Sequence, residues 1–371
     1  MDYEFHLQDP TSPATVYLVE AIIAAARGAT ELRGMFAFAS RGGVDSLLGD
    51  PAIEEFLEHG ALSLLIGMDA ITSRGTLERL QELETAHERL SVRVFWNRTA
   101  ALFHPKIAHF TYPDGRRTVI VGSGNLTPGG LRQNFEAFSV YRVNRRERVN
   151  LNGWDRFLGE HAPDIRAIDA AALERAARNV VLRARRGLGE PAEPDVVVPG
   201  FSESDVVVPV AALTGERILV AEVPRAGGRW HQVHFNREAI DDFFQVRPNS
   251  DQRVYLTECL QDGRFGEQEM RPCVLSQTNM NHKIELGSHH SAEYPASGRP
   301  IAVFRELQAR SFAYMLLMPG DPGHREMTRL LRQVESIGRG VPRVITTIAD
   351  LRRAWPACPL DTRVRTASSG S

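Results

Sequence analysis

The stretch "HPKIAHFTYPDGRRTVIVGSGNLTPGGLRQNFEAFSVYRV" (104–143) decides the fold of the first part of the chain. It contains three runs rich in apolar and β-branched residues, at 104–112, 117–123 and 136–143, separated by turn-forming Pro, Asp and Gly. Because the connections are short, these runs predict neighbouring strands of one sheet, partly antiparallel. The glycine-lined turn "GSGNLTPGG" follows the second strand directly.

The residues before this stretch predict the other half of the same sheet. "GMFAFAS" (34–40), "ALSLLIG" (61–67) and "LSVRVFW" (90–96) are typical of buried strands, and amphipathic helical segments lie before and between them. Alternation of strand and helix predicts a parallel sheet with helical crossovers. We therefore expect an α/β domain over 1–160, with a mixed, mainly parallel sheet and helices on both faces.

The pattern changes after residue 160. Residues 161–212 predict a linker, with a basic helix and the repeated "DVVVP" of a small hairpin. Short strands separated by turns follow over 213–340, with helices near 237–244 and 323–337, which is typical of an antiparallel barrel or sandwich. Residues 341–371 form a C-terminal tail, expected to be disordered at its end.

Composition excludes several classes of protein. The 371 residues carry a net charge of −2, so any nucleic-acid surface must be a local concentration of positive charge. The N-terminal residues lack the pattern of a signal peptide, and no apolar run is long enough to span a membrane. The three cysteines are an odd number without metal-type spacing, which favours reduced thiols and a cytoplasmic location. We expect no metal and no cofactor.

Lysine is rare here. Of 44 Lys plus Arg residues, only Lys106 and Lys283 are lysine, and each lies beside a histidine. On a strand, His104 and Lys106 project from the same face, and Ser123 and Asn125 follow the next strand. Glu136 opens the third. The predicted catalytic set is His104, Lys106, Ser123, Asn125 and Glu136.

This set fits phosphodiester cleavage through a covalent phosphohistidine. A neutral imidazole is a competent nucleophile, and an ammonium, a hydroxyl and an amide are suitable donors to the oxygens of a pentacoordinate phosphorus. The sequence lacks the Asp/Glu cluster of a magnesium nuclease site. Each element alone has an ordinary structural reading: a lone His-x-Lys occurs by chance, and a Gly-Ser-Gly-Asn turn is commonly only a turn.

"HPK" (104–106) and "GSGNLTPGGLRQNFE" (122–136) resemble the motif of the phospholipase D (HKD) superfamily, in particular its nuclease branch. The resemblance covers most of 30–145. It implies that His104 is the nucleophile or its acid partner, that Lys106, Ser123 and Asn125 bind the phosphate, and that Glu136 holds the histidine. The Asp expected five places after the lysine is Thr111 here, which argues against the lipase-type members.

The mechanism needs two histidines, one to attack phosphorus and one to protonate the leaving oxygen. The chain contains a single His-x-Lys, and His109 lies on the opposite face of the strand from His104. We therefore predict a homodimer in which His104 from both copies meets at one composite site.

The second lysine lies in a polar segment that predicts a DNA-reading surface. Asn and Gln recognise adenine edges and Arg recognises guanine, although polar loops without a ligand explain the composition equally well. "RWHQVHFNREAIDDFF", "NMNHKIELG" and the strands after 299 resemble the B-three-like DNA-binding pseudobarrel of NgoFVII- and BfiI-type restriction endonucleases. The predicted DNA-binding residues are Arg225, Arg229, Trp230, His231, Gln277, Thr278, Asn279, Asn281, His282 and Lys283.

Together these features predict a metal-independent, sequence-specific DNA endonuclease of the type II or IIS restriction class. The expected partners are double-stranded DNA, a second copy of the chain, and a methyltransferase or ATP-dependent helicase encoded alongside. Two alternatives stay open. One is a nuclease subunit of a defence complex that a separate ATP-driven partner activates, since the chain has no Walker-type loop. The other is a phospholipase D-type phosphodiesterase that acts on lipid.

Overall fold

The computed structural model describes residues 2–69, 71–99, 101–147, 152–186, 215–225, 231–275, 282–287, 293–334, 336–337 and 341–361. At 180–186 and 267 it describes the backbone and not the side chains. The chain divides into two compact units. The first comprises residues 1–10 and 15–205, and the second comprises residues 11–14 and 206–371.

The first unit is built on an eight-stranded sheet in the order β1-β7-β6-β5-β2-β3-β4-β8. Its strands are β1 (Asp2–Gln8), β2 (Glu31–Phe36), β3 (Ala61–Gly67), β4 (Leu90–Phe95), β5 (Lys106–Thr111), β6 (Arg117–Gly122), β7 (Glu136–Val143) and β8 (Ile165–Arg166). The three predicted strands of the 104–143 stretch are β5, β6 and β7, and they are neighbours in the sheet.

The sheet is mixed, as predicted, but it is not mainly parallel. Only β2–β3 and β3–β4 are parallel pairs, and the other five pairings are antiparallel. The reason is local: the turn of Tyr112–Arg116, with Gly115 at φ 82°, joins β5 to β6 too tightly for a crossover. The N-terminal segment, not predicted as a strand, adds β1 antiparallel to β7.

Helices cover both faces of this sheet. They are α1 (Leu18–Ala26), α2 (Arg41–Leu48), α3 (Pro51–His59), α4 (Arg74–Ala86), α5 (Asn152–Glu160) and α6 (Ala170–Arg186). α1, α3 and α4 contact β5, β3 and β4, respectively. On the other face, three apolar side chains of α5 pack against a cluster that includes Met35, Leu65 and Phe95. Side-chain caps begin α2, α3 and α4, at Ser40, Asp50 and Ser73.

The first unit continues past residue 160, where the sequence predicted a linker. β8 pairs with β4, and α6 packs against α4. β8 is too short, and α6 is too basic, for hydrophobic periodicity to indicate that they belong to the sheet and its helical layer. The predicted hairpin of the "DVVVP" repeats lies outside the described residues.

The second unit contains two sheets. Its strands are β9 (Arg217–Glu222), β10 (Gln232–Phe235), β11 (Arg253–Cys259), β12 (Phe265–Pro272), β13 (Val274–Leu275), β14 (His282–Glu285), β15 (Ile301–Gln308), β16 (Ser311–Leu317) and β17 (Arg343–Thr347). Six form the sheet β12-β11-β16-β15-β9-β17, and three form the sheet β10-β14-β13. Among the described residues, β11 and β16 pair in parallel, and the other neighbouring strands of these sheets pair antiparallel.

A buried apolar cluster joins the two sheets of this unit. It includes Phe235 from the small sheet and Phe304 and Phe312 from the large sheet, with Phe243 and Phe244 from the π-helix at Ala239–Phe244. α7 (His324–Gln333) and α8 (Ile348–Ala354) pack on a second cluster. The segment predicted as a tail from 341 therefore begins with ordered structure, because β17 pairs with β9.

Within the ranges given above, no helix is long and apolar enough to cross a bilayer. The cysteines Cys259, Cys273 and Cys358 are buried and unbridged, and burial raises the pKa of each thiol to about 12.

Candidate active site

Four of the predicted catalytic residues, His104, Lys106, Ser123 and Glu136, lie at one edge of the first sheet. β6 ends at Gly122, next to the starts of its neighbours β5, at Lys106, and β7, at Glu136, because these strands are antiparallel. His104 precedes β5, and Ser123 follows β6. Alternating strand ends thus bring side chains from three separate segments of the sequence to a common edge.

His104 and Lys106 are in direct contact. The Lys106 Nζ lies 2.9 Å from the His104 Nε2 and 3.0 Å from its Nδ1, and it donates to the His104 carbonyl oxygen at 3.3 Å. The Phe38 ring packs edge-on against the imidazole, with centroids 5.7 Å apart. The backbone also fixes this segment, since the Ala37 N–H donates to the Pro105 carbonyl at 2.8 Å.

The electrostatic environment favours a neutral imidazole and a titratable amine. Burial, and then the charge of Lys106, lower the pKa of His104 below its ordinary 6.5. Burial lowers the pKa of Lys106 to about 8, opposed by the negative charge of Glu136. At neutral pH, His104 therefore has an unprotonated nitrogen, and Lys106 is still mostly charged.

Ser123 and Glu136 form the second half of the site. The Ser123 hydroxyl donates to a Glu136 carboxylate oxygen and accepts from the Ala137 N–H at 3.0 Å. The Asn134 amide donates to the other carboxylate oxygen at 3.4 Å. Glu136 therefore contacts Ser123, with no recorded hydrogen bond to His104, although the resemblance implied that it holds the histidine.

Asn125 is the most buried member of the set. Its side chain is 6% exposed, and its Oδ1 has no hydrogen-bond partner in the described structure. A buried amide oxygen without a partner is costly, which is typical of functional positions.

The turn that carries Ser123 and Asn125 is fixed by close packing. A Cβ on Gly124 would meet the Gly130 carbonyl oxygen at 2.5 Å, and one on Gly122 would meet the Phe138 Cβ at 2.5 Å. These glycines therefore permit close packing of the chain at the turn. Gln8, distant in sequence, also supports this turn by donating to the Asn134 carbonyl at 2.9 Å.

Sequence reasoning missed Phe38, Asn134 and Gln8 as members of the site. Phe38 and Gln8 lie in segments far from 104–136, so only the sheet order brings them close. Thr111, which replaces the Asp of the resembling family, donates to Glu31 at the far end of β5. Its role here is structural. In the part of the chain that the structure describes, no three His, Cys, Asp or Glu side chains are grouped to hold a metal ion.

Only some of the predicted DNA-reading residues lie in the part of the chain that the structure describes. Arg229, Trp230, Gln277, Thr278, Asn279 and Asn281 lie outside the described residues. Arg225 lies over the Tyr294 ring at 6.0 Å. His231 lies 3.9 Å from Glu285, and His282 is buried at 8% exposure.

Lys283 lies on the outer face of the small sheet. It pairs with His234 on β10 and with Val274 on β13, so the three side chains share one face. Their neighbours Val233 and Ile284 are buried in the core cluster. Burial, and then Lys283 and Arg343, lower the pKa of His234. Val274 is 45% exposed, so this face is open to solvent.

The chain matches no protein-family model and no curated protein. Three solved structures to which it is similar are the N-terminal domain of Helicobacter pylori LlaJI.R1, NucT from Helicobacter pylori, and Nuc, a phospholipase D family member from Salmonella typhimurium. Identities are 10%, 11% and 13%, and TM-scores are 0.26, 0.31 and 0.31. The matches cover 35%, 45% and 44% of this chain and 97%, 99% and 96% of those chains.

Proposed function

We propose that this chain is a metal-independent phosphodiesterase that cuts DNA through a covalent phosphohistidine. The observation that carries the proposal is the His104–Lys106 contact beside the Ser123–Glu136 pair, at one edge of one sheet. These groups supply a neutral nucleophile and donors for an anion within a partly buried site. A phosphate bound there would give the Lys106 ammonium a charged acceptor in place of the imidazole.

In the first step, a His104 nitrogen attacks phosphorus and a P–N bond forms as the P–O bond to one deoxyribose breaks. The leaving oxygen takes a proton from His104 of a second copy, which is in its imidazolium form and becomes a neutral imidazole. In the second step, that imidazole accepts a proton from water, whose oxygen attacks phosphorus and breaks the P–N bond. One DNA end then carries the phosphate and the other carries a hydroxyl.

Each remaining side chain has a specific task in this proposal. Lys106 donates to the non-bridging oxygens, where negative charge develops, and the Ser123 hydroxyl does so when its single proton turns from Glu136 to the phosphate. The Asn125 amide adds a further donor. Glu136 orients Ser123, and its charge keeps Lys106 protonated to higher pH than burial alone would allow.

DNA as the substrate is supported by the second unit. Its outer face presents Lys283 next to His234, and the predicted reading segments border this small sheet in sequence. We propose that this unit is a B-three-like DNA-binding domain and that the chain acts as a type II or IIS-like restriction endonuclease. Because cutter and reader are separate modules, cleavage falls outside the recognised bases.

The test is cleavage of plasmid DNA by the purified full chain in EDTA, followed by sequencing of the ends. We expect unchanged cutting in EDTA and a constant offset from a common sequence. Cutting that requires Mg²⁺, or hydrolysis of phospholipid without DNA cleavage, would reject the proposal. Cutting only with ATP and a partner extract would instead identify a subunit of a larger complex.

A further inference from the structure

The helix α5 and the sheet of the first unit border a cavity of about 320 Å³ on one face of β2, β3 and β4. Arg33 pairs with Ser63, and Ser63 pairs with Ser91, so their side chains form a polar row across this face. Met35 and Leu65 form the next row and pack with α5. The cavity therefore has a polar side and an apolar side, and its volume is within the range of about 300–1,000 Å³ that small-molecule sites occupy.

The polar lining of the cavity supplies hydrogen-bond donors. It consists of Arg33, Ser63, Ser91, Arg93 and Trp154. The side chains of arginine and tryptophan only donate, and a serine hydroxyl can donate as well as accept. Among the described residues, no Asp or Glu lines the cavity. A surface of donors without carboxylates is complementary to a molecule that carries acceptor oxygens.

One of these donors lacks an acceptor. The indole Nε1 of Trp154 is buried, and it has no hydrogen-bond partner among the described residues. The Arg33 guanidinium lies over the same indole, with its Cζ 5.1 Å from the ring centroid. Because a buried donor without a partner is costly, an acceptor on a bound molecule would stabilise this arrangement.

The two arginines are held in place without using all of their donors. Arg33 donates from one terminal nitrogen to Asp155 at 3.1 Å, and Arg93 donates from one terminal nitrogen to Glu84 at 3.2 Å. In the described part of the chain, the other nitrogens of these two side chains have no recorded hydrogen bond. A guanidinium that is anchored on one side can bind a carboxylate or phosphate with its remaining N–H groups.

A buried histidine beside the polar row experiences positive surroundings. His109 pairs with Arg33 and is 4% exposed. Burial, and then the charges of Arg33 and Arg117, lower the pKa of its imidazole, opposed more weakly by Glu31 and Asp155. Positive charge therefore exceeds negative charge at this part of the sheet, which favours an anion in the adjacent cavity.

The cavity is separate from the candidate active site. Lys106 pairs with Phe36, and strand alternation places Phe36 and Met35 on opposite sides of β2. Because Met35 lines the cavity, Lys106 projects to the other side of the sheet. A molecule in the cavity thus has no contact with the Lys106 ammonium.

We propose that this cavity binds a small organic anion. Its apolar part packs on Met35 and Leu65, and its carboxylate or phosphate group accepts hydrogen bonds from Arg33 and Arg93. The indole N–H of Trp154 then has an acceptor on the same molecule. The inference goes beyond the proposed nuclease function and does not depend on it.

The first test measures protection of a thiol in the cavity of the full chain. The native cysteines are buried, so Ser63→Cys adds one accessible thiol to the lining, and Ser139→Cys adds one to β7 on the same face as a matched control. The probes are adenosine monophosphate and 1-naphthoate, with adenosine and 1-naphthalenemethanol as their uncharged counterparts. The reagent is N-ethylmaleimide, which is neutral.

We expect at least one of the two anions to slow modification of Ser63→Cys by about tenfold, at a concentration about ten times its Kd. The uncharged counterparts and the Ser139→Cys control should show no protection. Comparing the two anions distinguishes a phosphate from a carboxylate as the bound group. Modification of Ser63→Cys at one rate with and without both anions, or equal protection by the uncharged counterparts, overturns the proposal.

A second test removes one guanidinium without altering the apolar side of the cavity. Calorimetry on the full chain should show that Arg93→Gln weakens binding of the protecting anion by about tenfold, since a charged hydrogen bond is lost. Arg117→Gln is the matched control, because Arg117 is exposed and does not line the cavity. Unchanged affinity in Arg93→Gln, with a circular dichroism spectrum like that of the wild type, overturns the assigned anion site. Neither measurement requires nuclease activity.

Discussion

The two lysines of this chain occupy contrasting environments. Lys106 is partly buried, touches a histidine ring, and has a pKa lowered by burial to about 8. Lys283 lies on an open sheet face opposite His234, with exposed Val274 on its other side. The sequence places both beside a histidine, but the Lys106 ammonium is also influenced by the negative charge of Glu136, at the start of a neighbouring segment of the same sheet edge. Adjacency of histidine and lysine in the sequence therefore does not by itself distinguish a candidate active site from an exposed sheet face.

The largest expected difference concerns the two histidines that accompany these lysines. His104→Ala removes the nucleophile, so we expect cleavage to fall by about 10³-fold or more while specific DNA binding is retained. His234→Ala, the control beside Lys283, should leave the cleavage rate at saturating DNA unchanged. Gel-shift and plasmid-cleavage assays on the same preparations measure both. Cleavage by His104→Ala at the wild-type rate would contradict the assignment of His104 as the nucleophile.

The next difference distinguishes an ammonium in a confined site from one on an open face. Lys106→Arg keeps the charge but replaces a compact ammonium with a wide planar fork, so we expect a cleavage rate lower by about 10²-fold. Lys283→Arg should keep DNA affinity, because a guanidinium also binds phosphate or guanine from an open surface. Single-turnover cleavage rates of Lys106→Arg and equilibrium DNA binding of Lys283→Arg measure the two effects. A Lys106→Arg variant that cleaves at the wild-type rate would contradict the expected difference.

The pH dependence of the cleavage rate provides a further test of the difference between the two lysines. In the proposed mechanism the charged form of Lys106 is the active one, and it is lost as pH rises through about 8. We therefore expect kcat/KM, which reports the free enzyme, to fall above pH 8 in the wild type. The residual activity of Lys106→Arg should lack this alkaline limb, because a guanidinium stays charged. An identical limb in both proteins would mean that another group titrates.

The smallest effect is expected at Lys283 itself. Lys283→Ala should weaken DNA binding modestly and reduce the slope of log affinity against log salt by about 1 if the side chain contacts one phosphate. Cleavage at saturating DNA should not change. Titrations at several salt concentrations measure the slope, and an unchanged slope together with unchanged affinity would show that Lys283 makes no DNA contact.

Local sequence patterns could predict that His104, Lys106, Ser123 and Glu136 lie near one another, because all four belong to one short stretch of closely connected strands. Strand periodicity placed His104 and Lys106 on one face, and the turn signals placed Ser123 at the next strand end. Phe38 and Gln8 were not predicted as neighbours of the candidate site, because their positions depend on the order of strands that are distant in sequence. The mistaken expectation of a mainly parallel sheet has two causes: a tight turn makes β5 and β6 antiparallel, and the unpredicted β1 and β8 also pair antiparallel.

Burial is the second property that periodicity did not reveal. His282 and Lys283 were predicted together as DNA-reading residues, yet alternation on β14 places one in the core and the other outside. Polar composition alone does not distinguish these orientations without the register. Similarly, the sequence did not indicate the partner of Glu136. The sheet geometry shows that its carboxylate accepts a hydrogen bond from the Ser123 hydroxyl.

The central claim is that the His104 imidazole of this chain forms a transient bond to phosphorus. Its most direct test is to quench the full chain during cleavage of a labelled duplex in EDTA, under alkaline denaturing conditions that preserve P–N bonds. Peptide mass spectrometry then locates the DNA-linked residue. The account predicts a phosphate adduct on His104 that disappears in His104→Ala. Cleavage in EDTA with the adduct on a different residue would contradict it.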